Sequence, residues 1–204
     1  DHVQPMTELP AVLNSLIAKD RRVAFDTWTQ PDARPAKALL DFTAATIGIT
    51  APPAHDVTSV TGELREVKDA GEADLIRKAS EASIAAQRVM MQAVKPNVTE
   101  RTVAGKMYES WMEHGCERPS YAPIVGSGIN STTLHYAENS RTIEDGDIVV
   151  VDAACEYSMY AADITRTVPA SGHFTARQRE IYNVVLGAQK AAIDAFVSGK
   201  STIN

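Results

Sequence analysis

Asp147-Ile148-Val149-Val150-Val151-Asp152 is an unbroken apolar run closed by a carboxylate, and Tyr160-Ala161-Ala162-Asp163-Ile164-Thr165-Arg166 follows it closely. The first reads as a buried strand. The second, continued to Val168 and closed by Pro169, reads as another. A turn at Tyr157-Ser158 would make the two an antiparallel hairpin in which Glu156 faces Met159, Ala153 faces Ala162 and Asp152 faces Asp163. Facing residues of such a pair have Cβ atoms roughly 4.5–5.5 Å apart. Two ionised carboxylates at that distance, in a partly buried site, repel by on the order of 1 kcal/mol or more. A shared proton would relieve this. So would a divalent cation, for which hard oxygen ligands suit Mn, Mg or Ca, or a neighbouring guanidinium such as Arg166. The spacing by itself does not choose among them.

Upstream, Leu134-His135-Tyr136 lies in a Gly/Ser/Asn-rich segment. A histidine close to two carboxylates can serve as ligand, acid or base, and one in a loop alone is ordinarily a hydrogen-bonded surface residue. Ala122-Pro-Ile-Val-Gly-Ser-Gly128 is short, apolar and punctuated by glycine. Before it, residues 71–94 carry Leu75, Ala79, Ala82, Ala86, Val89 and Met90 near helical spacing, and Lys95-Pro96-Asn97 ends that helix. Thr99 is placed to cap a helix running through His114, with Gly115 as its C′ residue. After the hairpin, Thr175-Ala-Arg-Gln178 fits a capping box that opens a helix reaching Ser198, with Gly199 as the stop.

Residues 1–61 have a different character. A helix is expected over 7–19, a short strand at Arg22–Asp26, a helix over 35–47 broken by Ala51-Pro52-Pro53, and a strand from His55 to Val60. Gly62 to Asp69 reads as a connector. A boundary near residue 62 separates this part from an α/β unit of two helices, a hairpin and a further helix.

The chain has 204 residues, 44% hydrophobic and 23% charged, enough to bury a core and typical of folded soluble chains. Its net charge of −6 is unsuited to phosphate backbones, so nucleic acid is not expected as a partner. No run approaches the roughly 18 apolar residues that cross a bilayer. The start, Asp1-His2-Val3-Gln4-Pro5, has neither a basic nor an apolar signal segment and no initiating Met, so it is expected to be processed or cut. Cys116 and Cys155 form no CxxC pair and are expected as two packed thiols in a reducing, cytoplasmic setting, with export of a mature chain left open.

Several of these segments in register resemble the pita-bread metallopeptidases, which include Xaa-Pro aminopeptidases, prolidases, methionine aminopeptidases and creatinase. The resemblance is carried by Ile124-Val-Gly-Ser-Gly128, Leu134-His-Tyr136, Asp145-Gly-Asp147, Val151-Asp-Ala153 and Ala162-Asp-Ile-Thr-Arg-Thr167, in the family's order and spacing. It implies an α/β (α+β) fold: residues 62–204 as the first half of a pita-bread catalytic domain, and residues 1–61 as the end of the smaller α/β N-terminal domain of the creatinase and prolidase branch. It implies two divalent metal ions, Mn first, with Co, Zn or Fe as alternatives. Asp152 would chelate one metal, Asp163 would bridge both, and His135 would contact substrate near the scissile bond. The implied reaction is release of the N-terminal residue from Xaa-Pro peptides by a metal-activated water, with peptide as partner and a homo-oligomer possible.

The family's site takes a further His and two Glu from the second half of the fold, which would lie beyond Asn204. The chain is therefore expected to be a fragment, inactive alone, with exposed sheet and helix surface. His173 is out of place for the missing ligand, and His2, His55 and His114 read as solvated or capping residues. The alternatives are an Xaa-Pro dipeptidase, or a non-catalytic protein-binding module on the same fold. Retention of both aspartates speaks against the module.

Overall fold

The computed structural model describes residues 5–8, 11, 23–25, 45, 54–197 and 199–200. The helices expected over 7–19 and 35–47 fall outside the described residues apart from isolated positions. The chain divides into two compact units, Asp1–Asp69 and Ala70–Asn204. In the first, β1 (Val23–Phe25) pairs in parallel with β2 (Ala54–Asp56), and helix α1 follows at Thr58–Glu66. The strand and connector expected across 55–69 are thus mostly helix. Glu63-Leu64-Arg65-Glu66 are good helix formers, and the Lys68 ammonium caps the end by donating to the Arg65 carbonyl.

The second unit begins with the long helix α2 (Ala70–Ala93) and helix α3 (Glu100–Glu113). On α2 the buried face is Ala79, Ala82, Ser83, Ala86, Gln87, Met90 and Ala93. These are mostly small side chains at spacings of three and four, which let a sheet approach closely. Thr99 caps α3, its hydroxyl accepting from the Thr102 N–H, and Gly115 leaves the helix at φ +83° as expected. Trp111, Met107 and Val103 of α3 are fully buried against Met90, Val125, Ile143, Val149 and Val151.

Two small sheets lie on these helices. One has the order β3 (Arg118–Pro119), β6 (Cys155–Tyr157), β7 (Tyr160–Ala161). The other has the order β4 (Ile124–Ser127), β5 (Ile148–Asp152), β8 (Thr165–Pro169), all antiparallel. The second strand expected from Tyr160 to Val168 is therefore split into β7 and β8. Strand β5 buries Val149 and Val151, while Ile148, Val150 and Asp152 on its other face stay partly exposed. It is apolar on both faces, as read, yet only one face is covered among the described residues. Ile148 and Val150, with Thr165 and Thr167, line an open groove of about 770 Å³ beneath helix α4 (Ala176–Ala195).

Helix α4 opens on the expected capping box at Thr175 and Gln178, and it ends at Ala195 rather than at Ser198. Gln178 also donates to the Gly146 carbonyl (2.9 Å), which ties the helix to the approach to β5. None of its residues is buried, and Ile181, Val184, Val185 and Ile193 are exposed. No helix among the described residues is long and apolar enough to cross a membrane.

The cysteines correct their reading. Cys116 and Cys155 are joined in a disulfide, not packed as thiols. Their separation of 39 positions carries no local signal. The α3–β3 corner and the start of β6 bring them together through the core.

Candidate metal centre

The hairpin turns one residue later than expected. Ser158 and Met159 both have positive φ (47° and 69°), as a type I′ turn requires at its two central positions. Tyr157 faces Tyr160 and closes the turn. Each tyrosine is held from α2: the Lys78 ammonium lies 5.7 Å from the Tyr157 ring centre, and the Tyr160 hydroxyl donates to Glu72 (2.7 Å). The register consequently moves by two, and Asp152 faces Thr165, not Asp163. A shift of two keeps every side chain on its original face. Asp163 thus stays on the same side of the ribbon as Asp152, as its diagonal neighbour.

The two carboxylates still converge. The Tyr121 hydroxyl stands 2.5 Å from Asp152 Oδ1 and 3.0 Å from Asp163 Oδ1. The carboxylate oxygens can be no farther apart than those two bonds laid end to end. A phenol carries one proton, so one hydrogen serves two acidic groups. Burial pushes the Tyr121 phenol well above its usual range, and the hydrogen bonds and charges of Asp152 and Asp163 push it the same way. The phenol therefore keeps its proton past the ordinary phenol value of 10.0. Asp152 is half-buried at the end of β5, and Asp163 is exposed in the gap between β7 and β8.

Arg166 does not neutralise the pair. It faces Val151 across the ladder, on the opposite side from Asp152, and its guanidinium donates to the Thr165 carbonyl. What remains is two carboxylates drawn together by one phenol hydroxyl, and their hard oxygens are of the kind that hold a divalent cation. Among the described residues no group of three or more His, Cys, Asp or Glu side chains is placed to hold a metal.

His135 is exposed at φ +53°, and its ring has no hydrogen bond to either aspartate. The loop that carries it is firmly held on both sides. The Tyr136 hydroxyl donates to Glu100 Oε2 (2.7 Å). Asn139 accepts from Val125 N and donates to the Pro123 carbonyl (both 2.8 Å). Glu100 is fully buried and also accepts from Ser127 N and Oγ (2.7 Å each), Asn130 Nδ2 (3.2 Å) and Arg141 N (2.9 Å). Burial pushes this carboxyl up, but the hydrogen bonds from Ser127, Tyr136 and Arg141 prevail and hold it below its usual value. Arg141 in turn pairs with Asp147 and donates to Ser127 Oγ. Of the other histidines, His114, expected as a solvated or capping residue, bonds the Ser110 carbonyl through Nδ1 (2.7 Å). His173 sits exposed in the turn before α4.

A model of metallopeptidase family M24 matches residues 74–203. The chain belongs to that family. Over 195 residues it is 36% identical to a Xaa-Pro aminopeptidase of Haemophilus influenzae, covering 96% of this chain and 43% of that protein. It is 40% identical over 156 residues to the Xaa-Pro aminopeptidase of Escherichia coli, covering 76% of this chain and 35% of that one. Among solved structures, aminopeptidase PepP from Pseudomonas aeruginosa superposes with a TM-score of 0.77 at 31% identity, over 98% of this chain and 46% of that one. Proline aminopeptidase P II from Yersinia pestis gives 0.74 at 33%, over 96% and 46%. This M24 chain thus carries part of a pita-bread fold and spans less than half the length of the relatives it matches.

Two residues of the site were not singled out from sequence. Tyr121 is a lone loop tyrosine with no pattern to mark it. Gln87 touches the backbone beside both aspartates, and a signal for it existed: Ser83 and Gln87 are polar residues one turn apart on the apolar stripe of α2.

Proposed function

We propose that the whole protein is a metal-dependent aminopeptidase that releases the N-terminal residue from peptides with proline in second position. The observation that carries this is the convergence of Asp152 and Asp163 on one hydroxyl, in a chain whose relatives bear the name Xaa-Pro aminopeptidase. Asp152 and Asp163 would hold two divalent ions, Mn by preference, with Asp163 shared between them. When bound, such ions polarise a carbonyl and supply a hydroxide-like water near neutral pH. Tyr121 orients the pair by donating to whichever carboxylate oxygen is not engaged, as outer partners of metal ligands commonly do. His135, on an exposed and firmly held loop, would meet the substrate. Residues 1–61 would belong to the smaller N-terminal domain of this branch.

This chain alone is proposed to be inactive, since two aspartates supply too few ligands for two ions. The test is hydrolysis of an Xaa-Pro-Xaa peptide with manganese(II), by the protein at its relatives' length and by residues 1–204 alone. The longer protein should cleave, and its Asp163→Asn variant should lose at least a hundredfold in kcat. A longer protein that binds no divalent ion and leaves the peptide intact refutes the reading.

A further inference from the structure

Asp152 and Asp163 lie on two different segments, so something must fix the distance between those segments where the carboxylates project. Across the hairpin, Ala153 N donates to the Ile164 carbonyl (3.2 Å), and Ala162 N to the Cys155 carbonyl (3.2 Å). Between these bonds the residues leave regular strand geometry. A side chain from neither segment enters the gap. Gln87 of α2, only 4% exposed, places its Nε2 2.9 Å from the Ala153 carbonyl and 2.9 Å from the Ile164 carbonyl. Both partners can only accept, so the amide orientation is settled by chemistry. One turn earlier on α2, the Ser83 hydroxyl accepts from Cys155 N (2.9 Å).

Each carbonyl that Gln87 holds belongs to the residue directly after an aspartate. Holding it therefore restrains the short stretch of backbone from which the carboxylate projects. The two donor hydrogens of one planar amide have a fixed separation and direction, so both peptide groups are referred to a single rigid body anchored on a 24-residue helix. We propose that Gln87 is a positioning residue for the Asp152–Asp163 pair, setting the spacing at which the two carboxylates can share divalent ions. The inference rests on reading those aspartates as metal ligands. Gln87 itself touches neither carboxylate. It acts through backbone, and a role confined to filling the core would be met equally well by methionine, which has nearly the same length and shape.

The experiment compares wild type, Gln87→Met and Gln87→Asn in the full-length protein. Manganese(II) alone is the probe, titrated against a fluorescent chelator, and hydrogen exchange is followed over residues 150–166 in metal-free protein. Gln87→Met is expected to fold, to exchange faster at Ala153 to Thr165, and to bind manganese about tenfold more weakly, the low end of what losing a direct outer partner of a metal ligand costs, because Gln87 acts through backbone. Its kcat on an Xaa-Pro peptide should fall while KM stays within about twofold, because substrate contacts are untouched. Gln87→Asn keeps the donors on a shorter arm and should lie between the two, which decides the matter if the methionine variant does not fold. Wild-type manganese affinity in either folded variant overturns the proposal, as does unchanged exchange. The exchange readout needs no metal. A wild-type protein that binds no manganese and cleaves no peptide therefore refutes the aminopeptidase reading, while faster exchange in Gln87→Met still identifies Gln87 as the holder of the pair.

Discussion

Glu100→Gln tests how the loop bearing His135 is held. The carboxylate receives a backbone N–H on each oxygen, Ser127 N on Oε1 and Arg141 N on Oε2, with the hydroxyls of Ser127 and Tyr136 beside them. Glutamine turns one of those oxygens into an NH2 group. The hydroxyls can rotate to accept from it, but a backbone N–H cannot. Whichever way the amide is set, one buried N–H is left facing another. An unsatisfied buried donor costs about 1–3 kcal/mol, and the bonds that survive drop from the charged to the neutral scale, so a total loss of about 2–4 kcal/mol is expected. Urea unfolding followed by fluorescence of the fully buried Trp111 reads this as a midpoint lowered by about 1 M or more. Glu100→Ala, which strands all the donors around a cavity, should be worse. The pH dependence has a definite sign. A carboxyl whose folded pKa is depressed contributes stability that is present above the unfolded value, near 4.5, and is lost as pH falls through the folded value. Wild type should therefore weaken on acidification below that region, and Glu100→Gln should lack this component. A Glu100→Gln variant within about 0.5 kcal/mol of wild type at pH 7, the range of an ordinary surface change, would refute the account.

Tyr121 should ionise well above the usual phenol range. Absorbance at 295 nm during alkaline titration is expected to show one phenol resisting ionisation past the ordinary value of 10.0, and Tyr121→Phe should remove it. Because this pKa is raised on folding, its stabilisation is complete below the unfolded value and fades as pH rises through the folded one. Gly128→Ala should destabilise by about 2 kcal/mol or more in a thermal melt. The residue has φ +54°, a left-handed conformation costing an ordinary residue about 1–2 kcal/mol. A Cβ there would also lie 2.6 Å from Asp147 Oδ1. On α4, Val185→Glu replaces a side chain that is 64% exposed, so stability should change by less than about 0.5 kcal/mol. Its binding of an apolar dye such as ANS should fall, because that valine lines the open groove.

The parts of the fold legible in sequence are those governed by local chemistry. Thr99 and Thr175 sit where a hydroxyl must accept an N–H, Gly115 where a left-handed residue ends a helix, and Val149 and Val151 where a strand meets a core. The hairpin register was not legible, because it depends on which residue pair adopts two positive φ values. Tyr157 and Tyr160, which flank that turn, make contacts with α2, which lies far away in sequence. The convergence of Asp152 and Asp163 survived the error because a slip of two residues leaves side chains on the same face. The strand expected from His55 to Val60 and the connector expected from Gly62 gave way to a helix over Thr58–Glu66, where the helix formers Glu63 to Glu66 prevail. The disulfide and the span from Gln87 to two carbonyls are tertiary facts, invisible until the chain is folded.

The Cys116–Cys155 bond makes a covalent ring of the chain between them. Strand β4, the loop with His135, and β5 with Asp152 lie inside that ring, whereas Asp163 lies outside it. A protease that nicks the ring once, at the loop tip where Leu134 is 91% exposed for example, parts the backbone without releasing a piece. The clipped molecule would migrate as one band on a denaturing gel and separate into two only after a reductant is added.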